Sequence, residues 1–523
     1  MRPGWWRSPK VRLAVIITAA SLLATAWVFL VPIFEGPDEP QHFDYALGIA
    51  GAGHLLNARE RPTLPNQWSL VVNPDVQYLM QATDLLRVVG DQDQRMPAGY
   101  GTTAYYQQLD KAAPQPALNG PPAQNPGLLP VYPFGYYALL GAWLWLVGHL
   151  TTSVTILFFS ARLLSVLMLP ATLLLCYAIS RELRITAGKA LFLTAVIGLF
   201  PLTSFVASAI QPDNLSFLLV SLAVYLALLV RRRGQAPWLL ASLGLALGCL
   251  LVTKTHYFLC LALPIAAVLL LQRHDQPQRT GRLRAGLLLA APSLALLAVH
   301  LWVVWGTTIP VPSTATAMPN SADFHAAAAL GPLPLAKYVG TALGQGAYTY
   351  YLGGESFRTF WGTVGWLGRI QFGAPVVYQF LYAVEVGSTL VVLIIMLAHF
   401  ARTGTRLVRL AGRGRAWTAL RFALVDPFLV AYLLFTGFML AYYVLTHGTF
   451  YPQGRNWLPF LLPTWMLAFH YAPRALRRDQ PALSARLPVI SAAGLALLCA
   501  VVGAFAIFTI EHRFYATVPG VFS

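Results

Sequence analysis

The stretch Phe34-Glu35-Gly36-Pro37-Asp38-Glu39-Pro40-Gln41-His42-Phe43-Asp44 follows directly on an apolar run over 13–34. It sets four carboxylates and a histidine within eleven residues. Pro37 and Pro40 stiffen it, and Pro40 suits the first position of a helix running to about Ala50. Charges this dense at the exit of a membrane span are expensive to keep there. Glu39 at or near a helix N-cap, with Asp38 just before it, could be capping alone. Capping explains one carboxylate, not three and a histidine. A carboxylate in a bilayer cavity can serve as a general base, and Asp38 with His42 could also hold a divalent metal. Most of the chain reads as scaffolding that brings other polar groups towards this stretch.

The composition fixes the class. Of 523 residues, 57% are hydrophobic and 11% charged, with mean hydropathy +0.59. A soluble protein carries about a quarter charged residues; this is a polytopic membrane protein. The formal charge of +17 does not point to nucleic acid, because the cations sit in short patches between apolar runs. Cys176, Cys249, Cys260 and Cys499 lie inside apolar segments with no metal or disulfide spacing. Residues 13–34 lack a small-residue cleavage site and read as an uncleaved first span.

Runs long enough to span, at about 20 residues, fall near 13–34, 154–180, 186–209, 213–231, 236–252, 256–272, 284–306, 376–400, 422–446, 456–472 and 484–508. A further run over 131–149 is ambiguous. Six basic patches hold 24 of the 36 Lys and Arg but only Glu182, Asp275 and Asp479 among the acids. All six lie inside if 131–149 does not cross, which gives eleven spans with the N-terminus in. The fold class is therefore an all-α integral membrane protein of about 11–13 transmembrane helices, one polytopic domain over 1–523. Its long polar connections, 35–130 and 307–375, then share the outer side with about fourteen of the nineteen acids. Chemistry at the outer face follows.

Other stretches carry chemistry on that side. Gln211-Pro212-Asp213-Asn214 reads as a turn, or as an acid, Asp213, poised over the same cavity. Lys254, beside His256, either snorkels to the interface or binds an anion. Glu355 to Leu367 can be an interfacial aromatic belt. It can equally be a sugar- or lipid-binding edge, with Trp361 and Trp366 stacking on a ring and Arg358 on a phosphate. In Tyr451-Pro452-Gln453-Gly454-Arg455-Asn456-Trp457, Arg455 suits bidentate phosphate contact or simple anchoring. Glu385 and Asp426 read as boundary residues.

Together these pieces resemble a bacterial membrane-protein family known only as a domain of unknown function. The matching residues are Pro37 to Phe43 (Pro-Asp-Glu-Pro-x-His-Phe), Pro212-Asp213-Asn214, Phe360 to Leu367, and Gln453-Gly454-Arg455. Asn456 stands where tyrosine is usual. That family looks like part of the GT-C glycosyltransferase superfamily, with protein O-mannosyltransferases and aminoarabinose transferases. The resemblance implies a GT-C-like fold in the bacterial inner membrane with an active site facing the periplasm. It implies a polyprenyl-phosphate-linked sugar donor and a first-loop acid that is catalytic.

On this reading Asp38 or Glu39 is the base and His42 orients it or binds metal. Arg455, Lys254 and Arg358 hold the donor phosphate, while Asp213, Trp361, Trp366 and Gln453 line the substrate. No nucleotide motif is visible, and no cofactor is expected beyond a divalent metal on Asp38 and His42. The rivals are a transporter or flippase, and a polymerase or ligase, of lipid-linked saccharides.

Overall fold

Proline punctuates the starts of the helices. Pro9, Pro40, Pro74, Pro201, Pro212 and Pro237 each occupy the first or second helical position, where the missing N–H costs nothing. The computed structural model describes residues 8–56, 73–85, 96–113, 133–271, 282–304 and 329–346, with isolated positions elsewhere. Those residues form an all-α membrane protein, apart from a two-residue ladder pairing Thr363 with Gln371 and Val364 with Ile370.

The first helix, α1 (Pro9–Leu30), leads into α2 (Glu39–Ala52), where Gly53 in the left-handed region (φ 71) ends the helix. Two short helices of the first long connection follow, α3 (Pro74–Ala82) and α4 (Thr103–Ala112). Then come α5 (Gly135–Gly148), α6 (Val154–Glu182), α7 (Ala187–Leu199), α8 (Pro201–Ala207) and α9 (Pro212–Arg233). The series continues with α10 (Pro237–Leu251), α11 (Thr255–Leu271), α12 (Arg282–Val304) and α13 (Pro332–Gly346).

Among the described residues four helices are long and apolar enough to cross a membrane: α1, α6, α9 and α12. The apolar run over 186–209 is not one straight helix. Phe200 precedes Pro201 and is extended, at ψ 127, because the proline ring disfavours helical backbone in the residue before it. The two pieces, α7 and α8, meet at 60° and make a fifth span if taken together. The runs over 376–400, 422–446, 456–472 and 484–508 lie outside the described residues.

The helices share two ends. Arg181, Arg184, Lys189 and Arg231 to Arg233 gather at one, where Arg232 pairs with Glu182 at 2.5 Å. The acidic stretch lies at the other. Helices α10 and α12 run parallel: Gly244 faces Leu289 and Gly248 faces Ser293. A Cβ at Gly244 would stand 2.3 Å from the Leu289 carbonyl oxygen, so glycine is what permits this approach. Val252, Phe134 and Val303 then meet at the acidic end.

Helix α5 covers residues 135–148 of the ambiguous run over 131–149. The Gly135 N–H donates to the Val252 carbonyl at 2.6 Å, at the acidic end of α10. From there α5 runs antiparallel to α6, with Tyr136 on Ser165 at 3.3 Å and Trp143 donating to the Ser160 carbonyl at 3.0 Å. It rises away from the basic end instead of passing back through the bundle. Its 14 residues span about 21 Å at 1.5 Å each, short of a hydrocarbon core about 30 Å thick.

The first long connection folds back over the acidic end. The Ile33 N–H donates to the Tyr100 hydroxyl at 2.6 Å, and the Asn73 N–H donates to Asp44 at 2.6 Å. Asp110 of α4 accepts from both the Ser153 hydroxyl (2.6 Å) and the Thr155 hydroxyl (2.8 Å), tying α4 to the start of α6. Burial pushes the Tyr105 phenol up to about 12. It therefore stays protonated and donates to the Ala82 carbonyl at 3.0 Å.

Candidate functional site

The turn between α1 and α2 holds two non-glycine residues in the left-handed region, Phe34 at φ 68 and Asp38 at φ 57. Such residues cost of order 1–3 kcal/mol each and persist only where the surroundings fix them. Phe34 is fixed by packing: its ring meets Phe158 edge-on at 5.0 Å and Phe43 at 6.4 Å. Asp38 adjoins a residue held on every side.

That neighbour, Glu39, is fully buried and faces Arg162 of α6, which is 1% exposed. The guanidinium pairs bidentately, Nε to Oε1 at 2.8 Å and Nη2 to Oε2 at 2.6 Å. Oε1 also accepts from the Ile210 N–H at 3.0 Å, and Oε2 from the Gly36 N–H at 2.9 Å. An ionised carboxylate has about four lone-pair sites, and all are taken. Arg162 turns its remaining N–H groups on the exit of α1: Nη1 donates to the Val28 (2.8 Å) and Val31 (2.5 Å) carbonyls, and Nη2 to Pro32 at 2.8 Å. Otherwise those carbonyls would be left over at a helix end. The pair is a lock that draws α1, α6, the α8–α9 connection and the turn into one knot.

Gly36 is part of the lock. A Cβ there would stand 2.3 Å from Cδ of Glu39 and 2.6 Å from its Oε2. Gly36→Ala is expected to push the carboxylate off its donors and cost about 1–3 kcal/mol, the usual penalty of overpacking. A fall in the thermal midpoint of the detergent-purified protein checks this; an unchanged midpoint would refute the glycine requirement.

Asp38 is the N-cap residue of α2, half-buried, yet its side chain makes no capping hydrogen bond. The expectation set Glu39 at or near the N-cap with Asp38 before it; the N-cap is Asp38, and its side chain does not cap the helix. His42 is buried, its Nδ1 hydrogen-bonded to the Tyr137 hydroxyl at 2.8 Å, and Tyr137 stacks on Tyr45 at 4.2 Å. Among the described residues no three His, Cys, Asp or Glu side chains converge as metal ligands. The donor set around Asp38 and His42 therefore does not by itself amount to a metal centre.

Asp213 and Lys254, expected in separate roles, form an ion pair with each other. Asp213 sits in the first turn of α9 and Lys254 between α10 and α11, with its ammonium 5.6 Å from the Tyr257 ring centre. The turn before α9 is closed by Asn214, whose amide donates to the Val206 (2.9 Å) and Ala209 (3.0 Å) carbonyls. Arg358, Trp361, Trp366, Gln453 and Arg455 lie outside the described residues.

A family model described as "Predicted membrane protein (DUF2142)" matches residues 22–510. The chain belongs to that family. No curated protein matches it. The matched region holds the whole knot of this DUF2142 protein, from the α1 exit through Asp213. Sequence reasoning missed Arg162, Tyr137 and Gln41. For Arg162 the signal was present: a lone arginine inside the apolar run over 154–180, where an ionisable residue is a functional candidate by default.

Proposed function

We propose that this protein is a membrane glycosyltransferase of GT-C type. It moves a sugar from a polyprenyl-phosphate-linked donor to an acceptor hydroxyl, in cell-envelope polysaccharide or glycoconjugate assembly. The positive-inside pattern supports a bacterial inner-membrane location, with the cation-rich end cytoplasmic and the acidic end facing the periplasm.

The observation that carries the reading is the division of labour between adjacent carboxylates. Glu39 has no lone pair left for a proton, while Asp38 stands half-buried on the same turn, held in a strained conformation. A base must be reachable by the proton it takes, and the half-buried Asp38 is reachable where the fully buried Glu39 is not. The acceptor oxygen loses its proton to Asp38 and forms a bond to the anomeric carbon. The bond from that carbon to the phosphate oxygen breaks, and its electron pair leaves with the polyprenyl phosphate. Lys254, with Arg455 and Arg358, would stabilise the charge arriving there. His42, held by Tyr137, would orient the acid.

A flippase is the reading to beat, because the 60° break between α7 and α8 is the kind of discontinuous helix transporters use. The test is a reconstituted vesicle assay with radiolabelled undecaprenyl-phosphate sugars and an envelope extract as acceptor. Label in a new glycosidic product is the expected result. Movement of intact lipid between leaflets, with no new product, would overturn the reading in favour of the flippase.

A further inference from the structure

Gln41 lies next to His42 and four residues before Tyr45, so Gln41, His42 and Tyr45 share one facet of α2, with Asp38 at its N-cap. Glu39, Phe43 and Ala46 share another facet. Gln41 is 8% exposed, and its side-chain oxygen is buried with no hydrogen-bond partner. Among the described residues its backbone N–H, in the first turn of α2, has no acceptor either. The neighbouring first-turn N–H groups are used: Glu39 donates to the Gly36 carbonyl at 3.4 Å and His42 to Asp38 at 3.1 Å. One residue therefore carries both an unused donor and an unused acceptor. A buried acceptor left unmade costs about 1–3 kcal/mol, so its natural occupant is a group that meets both needs.

Phosphate does not meet them. It would accept from the N–H but oppose the amide oxygen, and Glu35, Asp38 and Asp44 crowd the same turn with negative charge. A hydroxyl does meet them, since it donates and accepts at once. We propose that Gln41 is a specificity-determining residue of this site, its amide oxygen and backbone N–H together binding one alcohol hydroxyl of a saccharide beside Asp38. The proposal rests on the glycosyltransferase reading for which saccharide that is, donor sugar or acceptor, but not for the hydroxyl chemistry itself.

The test compares wild type with Gln41→Leu and Gln41→Met by binding to the purified full-length protein. Three probes are used: sugarless undecaprenyl phosphate, undecaprenyl phosphates carrying hexoses or pentoses, and methyl glycosides. Losing one neutral hydrogen bond should weaken the hydroxyl-bearing probe about 3- to 10-fold and leave sugarless lipid unchanged. A loss confined to the sugar-lipids assigns the hydroxyl to the donor; a loss confined to methyl glycosides assigns it to the acceptor. Both variants should keep or raise the thermal midpoint, because an unmet buried acceptor is removed.

Equal binding of every probe by wild type and variants would overturn the proposal and leave Gln41 a water-binding residue. Gln41-dependent binding of methyl glycosides, with no binding of any polyprenyl phosphate, would instead keep the proposal and sink the lipid-linked donor.

Discussion

Arg162→Met is expected to unfold the acidic end of the bundle, with a loss of about 3–5 kcal/mol, the usual cost of removing one partner of a buried ion pair. The variant leaves the Glu39 carboxylate at 0% exposure with no countercharge. It also strips the Val28, Val31 and Pro32 carbonyls of their donor. Arg162→Lys should not rescue it, because an ammonium cannot pair bidentately and still reach three carbonyls. Adding Glu39→Gln should recover part of the loss, since the neutral amide removes the bare charge and keeps an acceptor for one of the two N–H groups of Gly36 and Ile210. Thermal midpoints of the two single variants and the double give the coupling between the positions. A wild-type midpoint for Arg162→Met would end the lock reading.

Asp38→Asn is expected to behave oppositely: folded as wild type, and slower in sugar transfer by about 10²–10⁴-fold, the usual worth of a general base. Asparagine is the fitting control because it tolerates the left-handed region nearly as well as aspartate. Asp38→Ala would confound the test with a backbone penalty of about 1–2 kcal/mol. Glu39→Gln should lose stability together with activity. The paired measurement, transfer rate against thermal midpoint, separates the base from the lock. Full transfer by Asp38→Asn would remove it from catalysis.

The span pattern was legible because hydrocarbon demands long apolar runs, and α1, α6, α9 and α12 fall close to where such runs are. The acidic turn was legible as a candidate site because charge at that boundary is costly. The roles within it were not. Which of Asp38 and Glu39 is held depends on Arg162, 123 residues further on, and a periodicity argument has no access to contacts at that range. The left-handed backbone at Asp38 is equally invisible to hydropathy and periodicity. Asp213 and Lys254 were read separately, and each meets the other across 41 residues. The run over 186–209 looked unbroken because hydropathy weighs Phe200-Pro201 as apolar residues and ignores the backbone cost before a proline.

The lock also sets an order of events on the ribosome. Glu39 leaves the exit tunnel long before its partners: Arg162 follows 123 residues later and the Ile210 N–H 171 residues later. At a synthesis rate of about 5–20 residues per second, the carboxylate waits roughly 10–30 s at the membrane boundary for its last donor. Through that interval the turn cannot settle, and Asp38 has no fixed place. The site is therefore not built when its own segment is translated; it is completed when the broken span is threaded in.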